Sequence, residues 1–320
     1  MQREVVIYMK KLSFLFLFLI SLIFVSCKNN NNLQTTTVDD YKLKIASPSG
    51  APLIAISGAL DGKDYETNLN LAPTLLPAYF GNGSVDFIVA PINMGAQLYK
   101  KSANFKLASV LTWGNLFFAS KDENFDELAD VNNADLVLFG EGTVNDAVVN
   151  YVLTENNITP KTKEYKADTQ ETQSLLLNDN DNKIFLVAEP ALSAAKTKDS
   201  TIKSISVQSL FEAKSGAKKF TQAGLFVNIK TANEHKGLVD SFINDVKKSC
   251  IDANNNADKI IDSAIKLGIT TPKAVLTKAI TGCNISFKKA KEAKEELEFT
   301  ANLMLNLFGG SLPENEFYYE

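Results

Sequence analysis

From Lys42 onward the chain alternates short β-branched runs with stretches long enough for a helix, and that alternation leaves few folds open. Strands separated by helices become neighbours in a mostly parallel sheet, with the helices packed over both faces. A strand over residues 42–46 leads through the turn Ser47-Pro48-Ser49-Gly50 into a helix over 51–60. A second strand is expected over 65–69, and a helix over 73–79 closed by Gly81-Asn82-Gly83, a sequence suited to a left-handed stop. A third strand over 86–90 runs into Pro91 and a helix reaching about Lys100.

The same grammar restarts later. A strand over 135–139 meets the tight turn Gly140-Glu141-Gly142, after which Thr143 caps a helix to Glu155, with Asp146 in a capping-box-like position. A helix over 169–177, a strand over 183–188 and the helix opener Glu189-Pro190 follow. Two successive α/β units imply two lobes. The stretches Gly114-Asn115-Leu116-Phe117-Phe118-Ala119-Ser120-Lys121 and Gly224-Leu225-Phe226-Val227-Asn228-Ile229-Lys230 share a pattern: glycine, an apolar β run, then lysine. Read as two crossings between lobes, they assign 41–114 plus 224–320 to lobe 1 and 115–223 to lobe 2. Two unrelated strands of similar composition are the alternative.

After Lys236 the pattern is almost entirely helical, with helices expected over 237–251, 257–267, 272–280 and 286–307, the last stopped by Gly309-Gly310. Phe317, Tyr318 and Tyr319 suit a tail packed onto a lobe. Cys250 and Cys283 fall in helix-like segments, and the sequence leaves open whether they pair.

Composition narrows the function. Hydrophobic residues are 45% and charged residues 22% of 320, and the net charge is −4 with no basic block, so a nucleic-acid partner is not expected. The only arginine is Arg3, so a site clamping an oxyanion would rely on lysine, hydroxyls and backbone N–H groups. The single histidine, His235, lies in the polar stretch Asn233-Glu234-His235-Lys236-Gly237. With one histidine and scattered cysteines, catalytic dyads and histidine-rich metal sites lack their parts. No cofactor, metal or catalytic residue is expected.

The N-terminus carries an address. Lys10 and Lys11 precede an apolar run from Leu12 to Val25, a positive region followed by a hydrophobic segment suited to secretion and short for a membrane span. The run ends Ile23-Phe24-Val25-Ser26-Cys27, which resembles the lipobox of bacterial lipoproteins, with Phe24 where leucine is usual. The resemblance implies lipid on Cys27 and an extracytoplasmic chain anchored to the membrane, in the periplasm or at the cell surface. A plain signal peptide cut elsewhere is the alternative. Residues 28–40, polar and asparagine-rich, read as a flexible tether, and Met9 reads as the better start.

Asp86-Phe87-Ile88-Val89-Ala90-Pro91, the run from Lys106 to Trp113-Gly114, and Val187-Ala188-Glu189-Pro190-Ala191 occur in an informative order. Together they resemble the type II periplasmic binding proteins, in the branch of nitrate, sulfonate, taurine and thiamine-precursor receptors of ABC transporters. The resemblance implies an α/β fold of two hinged lobes joined by two crossing strands. It also implies a monomeric receptor for a small molecule, served by ABC permease and ATPase subunits in trans.

Ligands of open α/β sheets sit beyond the carboxyl ends of the strands. That rule selects Ser47, Ser49, Gly50 and Ala51 after the first strand, and Pro91, Ile92 and Asn93 after the third. Gly50 and Ala51 belong either to ligand binding by helix N–H groups or to an ordinary capped turn. At the first crossing it selects Thr112 and Trp113, the only tryptophan, read either as a ring that stacks on ligand or as hinge packing. In lobe 2 it selects Glu141, Gly142 and Thr143, and Glu189, whose acids are either ligand counter-charges or solvated. Carboxylates without arginine favour a neutral or weakly cationic heterocycle, such as a pyrimidine or vitamin precursor. Rival readings are a sensory or adhesion lipoprotein, an oxyanion or sulfonate binder, and an enzyme on the same fold. Pyrimidine-synthesising relatives use histidine and a cysteine-rich motif, which this chain lacks.

Overall fold

In the computed structural model, which describes residues 41–320, the strands β1 (Lys44–Pro48), β2 (Glu66–Leu71), β3 (Phe87–Pro91) and β4 (Phe105–Trp113) build a first sheet. β5 (Leu116–Ser120), β6 (Asp135–Phe139), β7 (Thr162–Lys166), β8 (Ile184–Ala188) and β9 (Lys203–Ser206) build a second. The chain then returns to the first sheet with β10 (Thr221–Asn228) and β11 (Ile285–Lys289). Among the described residues the sheet orders are β11-β4-β10-β3-β1-β2 and β7-β6-β8-β5-β9. The expected two-lobe α/β architecture is the one observed.

Interior parallel strands flanked by helices are covered on both faces, so they read as continuous apolar runs. Hence Ile45 to Pro48 and Phe87 to Ala90 are all buried. β2, at the edge, is largely exposed and carries Glu66-Thr67-Asn68. Besides the edge strand β11, which pairs antiparallel with β4, two strands run against the parallel direction of their sheets for a topological reason. β5 begins where β8 ends, pairing Leu116 with Ala188, and β10 begins where β4 ends, pairing Thr221 with Trp113. A chain arriving from the other lobe enters at the carboxyl edge and must run back through the sheet. β10 starts at Thr221, ahead of the Gly224 at which the sequence placed its return.

One apolar core continues through both lobes at the junction, where Trp113, Leu116, Phe211 and Phe220 belong to the same cluster. A second core lies under the helices Ala51–Leu60, Lys236–Asn255 and Ala257–Lys266. Gly83, at φ 61°, gives the left-handed stop of the helix Leu76–Asn82. Cys250 and Cys283 are both free and buried, so these two do not pair. Burial pushes the Cys250 thiol up to about 12.

The C-terminal region departs from expectation. In place of one helix over 286–307, the edge strand β11 is followed by the helix Lys294–Asn302 and a 3-10 turn, Leu305–Phe308. The helical composition is overridden by pairing with β4, in which Ile285 faces Thr112 and Lys288 faces Val110 across an irregular step. The tail packs as expected, with Phe317 and Tyr318 buried and the Tyr319 N–H donating to the Leu107 carbonyl at 2.8 Å. The expected signal segment, the lipobox with Cys27 and the tether over 28–40 lie outside the described residues. Among the described residues, no helix is long and apolar enough to cross a membrane.

Candidate functional site

Register fixes where the two sheets face each other. In the first sheet the carboxyl ends are Pro48, paired with Leu71, then Pro91, paired with Ala223, and Trp113, paired with Thr221. In the second they are Phe139, paired with Lys166, and Ala188, paired with Leu116. Gly114 and Asn115 join the Trp113 end of the first sheet directly to the Leu116 start of β5 in the second. Lys42 and Lys44 sit at the opposite edge, paired with Asp64 and Glu66.

On lobe 1, Ser47 is buried with its hydroxyl donating to the Pro48 carbonyl at 3.0 Å, while Ser49 is exposed. Gly50, at φ 83° and ψ −151°, takes the N-cap position of the helix Ala51–Leu60 in a conformation natural to glycine. No side chain caps that helix. The helix Ile92–Ser102 also starts without a side-chain cap, at Pro91, with Ile92 buried and Asn93 half-buried beside it. The first-turn N–H groups of both helices have no intrahelical acceptor and carry the positive end of the helix dipole.

Lobe 2 is built the other way. Gly140 and Gly142, at φ 79° and 65°, turn the chain so that the Thr143 hydroxyl donates to the Gly140 carbonyl at 2.6 Å and accepts from Asn145 N–H at 3.3 Å. The Asp146 carboxylate accepts from the Gly142 N–H at 3.1 Å, one residue ahead of the expected capping-box partner. It also accepts from the Tyr165 hydroxyl at 2.6 Å and Asn150 Nδ2 at 2.8 Å. Burial first, and then Asp146, push the Tyr165 phenol well above its usual range. The helix Thr169–Asn178 is capped by Asp168, and at the helix Ala191–Lys198 the Glu189 carboxylate accepts from Ser193 N–H and Oγ at 3.0 and 2.8 Å. Beyond β6 and β8, lobe 2 therefore satisfies its helix starts with Thr143, Asp146 and Glu189, whereas the lobe 1 starts at Gly50 and Pro91 have no side-chain cap. Glu141 is exposed on the preorganised turn.

The two residues selected at the first crossing are consumed by the hinge. Trp113 is 3% exposed, and its Nε1 donates to the Ser286 carbonyl at 2.8 Å. Its ring has no open face on which a ligand could stack, which corrects the stacking expectation in favour of hinge packing. Thr112 is buried too, with its hydroxyl accepting from Ala223 N–H at 3.1 Å. Glu189 is 8% exposed rather than solvated, and burial raises its pKa above the ordinary carboxylate range. Sequence reasoning missed Asn115 and Gln222. Gln222 Nε2 donates to Asn115 Oδ1 at 2.9 Å, tying the two crossings together, and Asn115 Nδ2 donates to the Glu189 carbonyl at 3.0 Å. Their only local signal is position, each beside a crossing.

Among the described residues, no group of three or more His, Cys, Asp or Glu is placed to hold a metal ion. No protein-family model and no curated protein sequence matches the chain. Solved structures do. An ABC transporter protein from Parabacteroides distasonis is 24% identical with a TM-score of 0.75, over 88% of this chain and 99% of that one. The zinc-bound ligand-binding component of an ABC-type import system from Staphylococcus aureus is 16% identical, TM-score 0.64, over 87% and 96%. The periplasmic aliphatic sulphonate binding protein of Escherichia coli is 11% identical, TM-score 0.65, over 87% and 92%. The chain thus has the two-lobe fold of the type II periplasmic binding proteins.

Proposed function

We propose that this chain is the substrate-binding component of an ABC importer, held at the membrane by lipid on Cys27, and that it works without catalysing a reaction. It captures a small molecule between lobe 1 (41–114 plus 224–320) and lobe 2 (115–223), and passes it to permease and ATPase subunits in trans. The observation that carries this reading is the asymmetry of the cleft edge. Lobe 1 presents two helix starts with no side-chain cap, and lobe 2 presents the exposed Glu141 on a rigid turn. A ligand with acceptors at one end and a donor or positive charge at the other satisfies both lobes.

That polarity supports a neutral or weakly cationic heterocycle, such as a pyrimidine or vitamin precursor. Ser49, Gly50, Ala51 and Asn93 would meet its acceptors, with Ser47, Pro91 and Ile92 shaping the wall. Glu141, Gly142 and Thr143 would face its donors, while Glu189 shapes the floor from below with Asn115 and Gln222. A second reading has one observation in its favour: uncapped helix starts also suit a sulfonate or other oxyanion. Mass spectrometry of small molecules released on denaturing the purified protein separates these readings. A co-purifying heterocycle supports the first, a sulfonate or other oxyanion the second. Release of nothing, with no thermal shift from either class, would turn the account towards an adhesive or sensory lipoprotein.

A further inference from the structure

The helix Val144–Glu155 of lobe 2 presents two stripes, and the core covers one of them. Val148, Val149 and Val152 are buried in it. On another face Thr143, Ala147, Tyr151 and Thr154 recur at helical spacing along one side of a groove of about 410 Å³. That spacing spans about 17 Å of helix. A space of this volume drawn out over such a length is narrow, and it suits an extended chain better than a single ring.

The other wall comes from residues 303–307 of lobe 1 rather than from a strand end. Leu303, Met304 and Leu307 line it, with Leu303 and Leu307 only half-buried. The wall is fixed from behind. Phe308 is buried, the Gly310 N–H donates to the Leu305 carbonyl at 2.8 Å, and Lys100 Nζ donates to the Ser311 carbonyl and Oγ at 2.8 and 2.7 Å. Across the groove the Tyr151 ring is held against Phe211 at 5.1 Å and edge-on to Phe299 at 5.8 Å. Half-buried apolar side chains on two fixed walls shed water when hydrocarbon lies between them. Charge selects further. Asp146 and Glu155 line the groove, and among the described residues its lining includes no lysine, so an anionic chain meets repulsion there. Lys163, which donates to Asn150 at 2.6 Å, is exposed, and solvent screens it.

The lining of the groove includes Gly142 and Thr143, two of the residues proposed above to face the ligand. That continuity says what fills it. We propose that the groove is a second subsite of the receptor, holding an apolar chain of the ligand whose polar head lies at the Glu141–Thr143 turn. The ligand class is an elongated amphipathic molecule, its chain uncharged or cationic at the far end, and Leu303, Met304 and Leu307 select for the chain. The inference rests on the receptor reading for the head alone.

Chain probes without a heterocycle test it. In the full chain carrying Cys27→Ser, an isotopic label in the methionine methyls gives an NMR reporter on each side. Met304 lines the groove, and Met94, in the helix Ile92–Ser102, lies outside its lining. Titration with butanol, hexanol and octanol should move the Met304 methyl to saturation, with binding about fourfold tighter for each added methylene. Octylamine should bind at least as tightly as octanol, and octanoate more weakly. Leu303→Gln and Leu307→Gln, made separately, should each weaken octanol binding, with an unmoved Met94 methyl reporting an intact fold. A Met304 methyl that does not move, that moves without saturating, or that saturates alike in both variants would overturn the subsite. A preference for octanoate would overturn the ligand class. The two readings fail separately: saturation by octanol with no response to any heterocycle removes the head and keeps the groove. A heterocycle that binds while the alcohols do nothing removes the groove and keeps the receptor.

Discussion

Gly114 and Phe220 occupy each other's space at the junction: a Cβ on Gly114 would fall 1.9 Å from Phe220 Cε1. The first crossing therefore passes directly beneath the ring that opens the second. Gly114→Ala should displace the ring from its edge-on contact with Phe211 and lower stability by about 1–3 kcal/mol, the usual scale of overpacking. Chemical denaturation checks this, and an unchanged midpoint would mean that the ring has room to move aside.

Trp113 should behave as a hinge residue. Trp113→Phe removes the donor to the Ser286 carbonyl and should cost about 0.5–1.5 kcal/mol. Ligand affinity should be left as it was. The same ring is the only tryptophan of the chain, so its emission should be that of a buried indole. A Trp113→Phe variant of normal stability that loses ligand would place the ring back in the cleft.

The turn at the end of β6 is held by Thr143 and Asp146. Thr143→Ala removes an N-cap and should destabilise by about 1 kcal/mol. Asp146→Asn, which keeps the shape but weakens the acceptor shared by Gly142, Tyr165 and Asn150, should lower ligand affinity more than it lowers the melting temperature. Equal losses in both quantities would assign Asp146 a structural role alone.

Glu189 gives a pH dependence with a definite sign. Burial raises its folded pKa above the unfolded value, with Ser193 and Lys196 opposing the shift. Between those two pKa values the folded state holds more protons, so stability falls as pH rises, and above both the penalty is complete. Glu189→Gln should therefore stabilise the protein near neutrality, and its advantage should vanish once pH drops below the ordinary carboxylate value. Half-buried acids such as Asp135 and Asp199, whose pKa values are lowered by hydrogen bonds, push the other way in both proteins. Comparing melting temperatures of variant and wild type across pH isolates Glu189. A variant less stable at neutral pH would show that its charged hydrogen bonds to Ser193 outweigh its burial.

Much of the α/β order is legible in local sequence, because strands covered on both faces must be apolar throughout. The strand Asp135–Phe139 is found at the expected residues for that reason, and the helix Ala51–Leu60 is found where the turn ending at Gly50 starts it. β11 is not legible: Ile285-Ser286-Phe287-Lys288-Lys289 adjoins lysine- and glutamate-rich sequence that reads as helix, and only its pairing with β4 makes it a strand. The junction is hidden in the same way. Nothing near Trp113 in sequence announces that its acceptor is Ser286, or that Gln222 holds Asn115. Buried polar groups find partners by tertiary placement, and single-sequence reasoning recovers only their neighbourhood.

The most direct test of the account is a thermal-shift comparison of wild type with one variant from each side of the cleft, Asn93→Ala and Glu141→Gln. The panel should hold pyrimidines, vitamin precursors, sulfonates and amino acids. A ligand at ~100 times its dissociation constant stabilises by ~2.7 kcal/mol. The account predicts that a heterocycle gives such a shift in wild type and that each substitution alone reduces it, because the ligand bridges both lobes. A shift that neither variant alters would contradict the proposed site, and no shift from any compound would contradict the receptor itself.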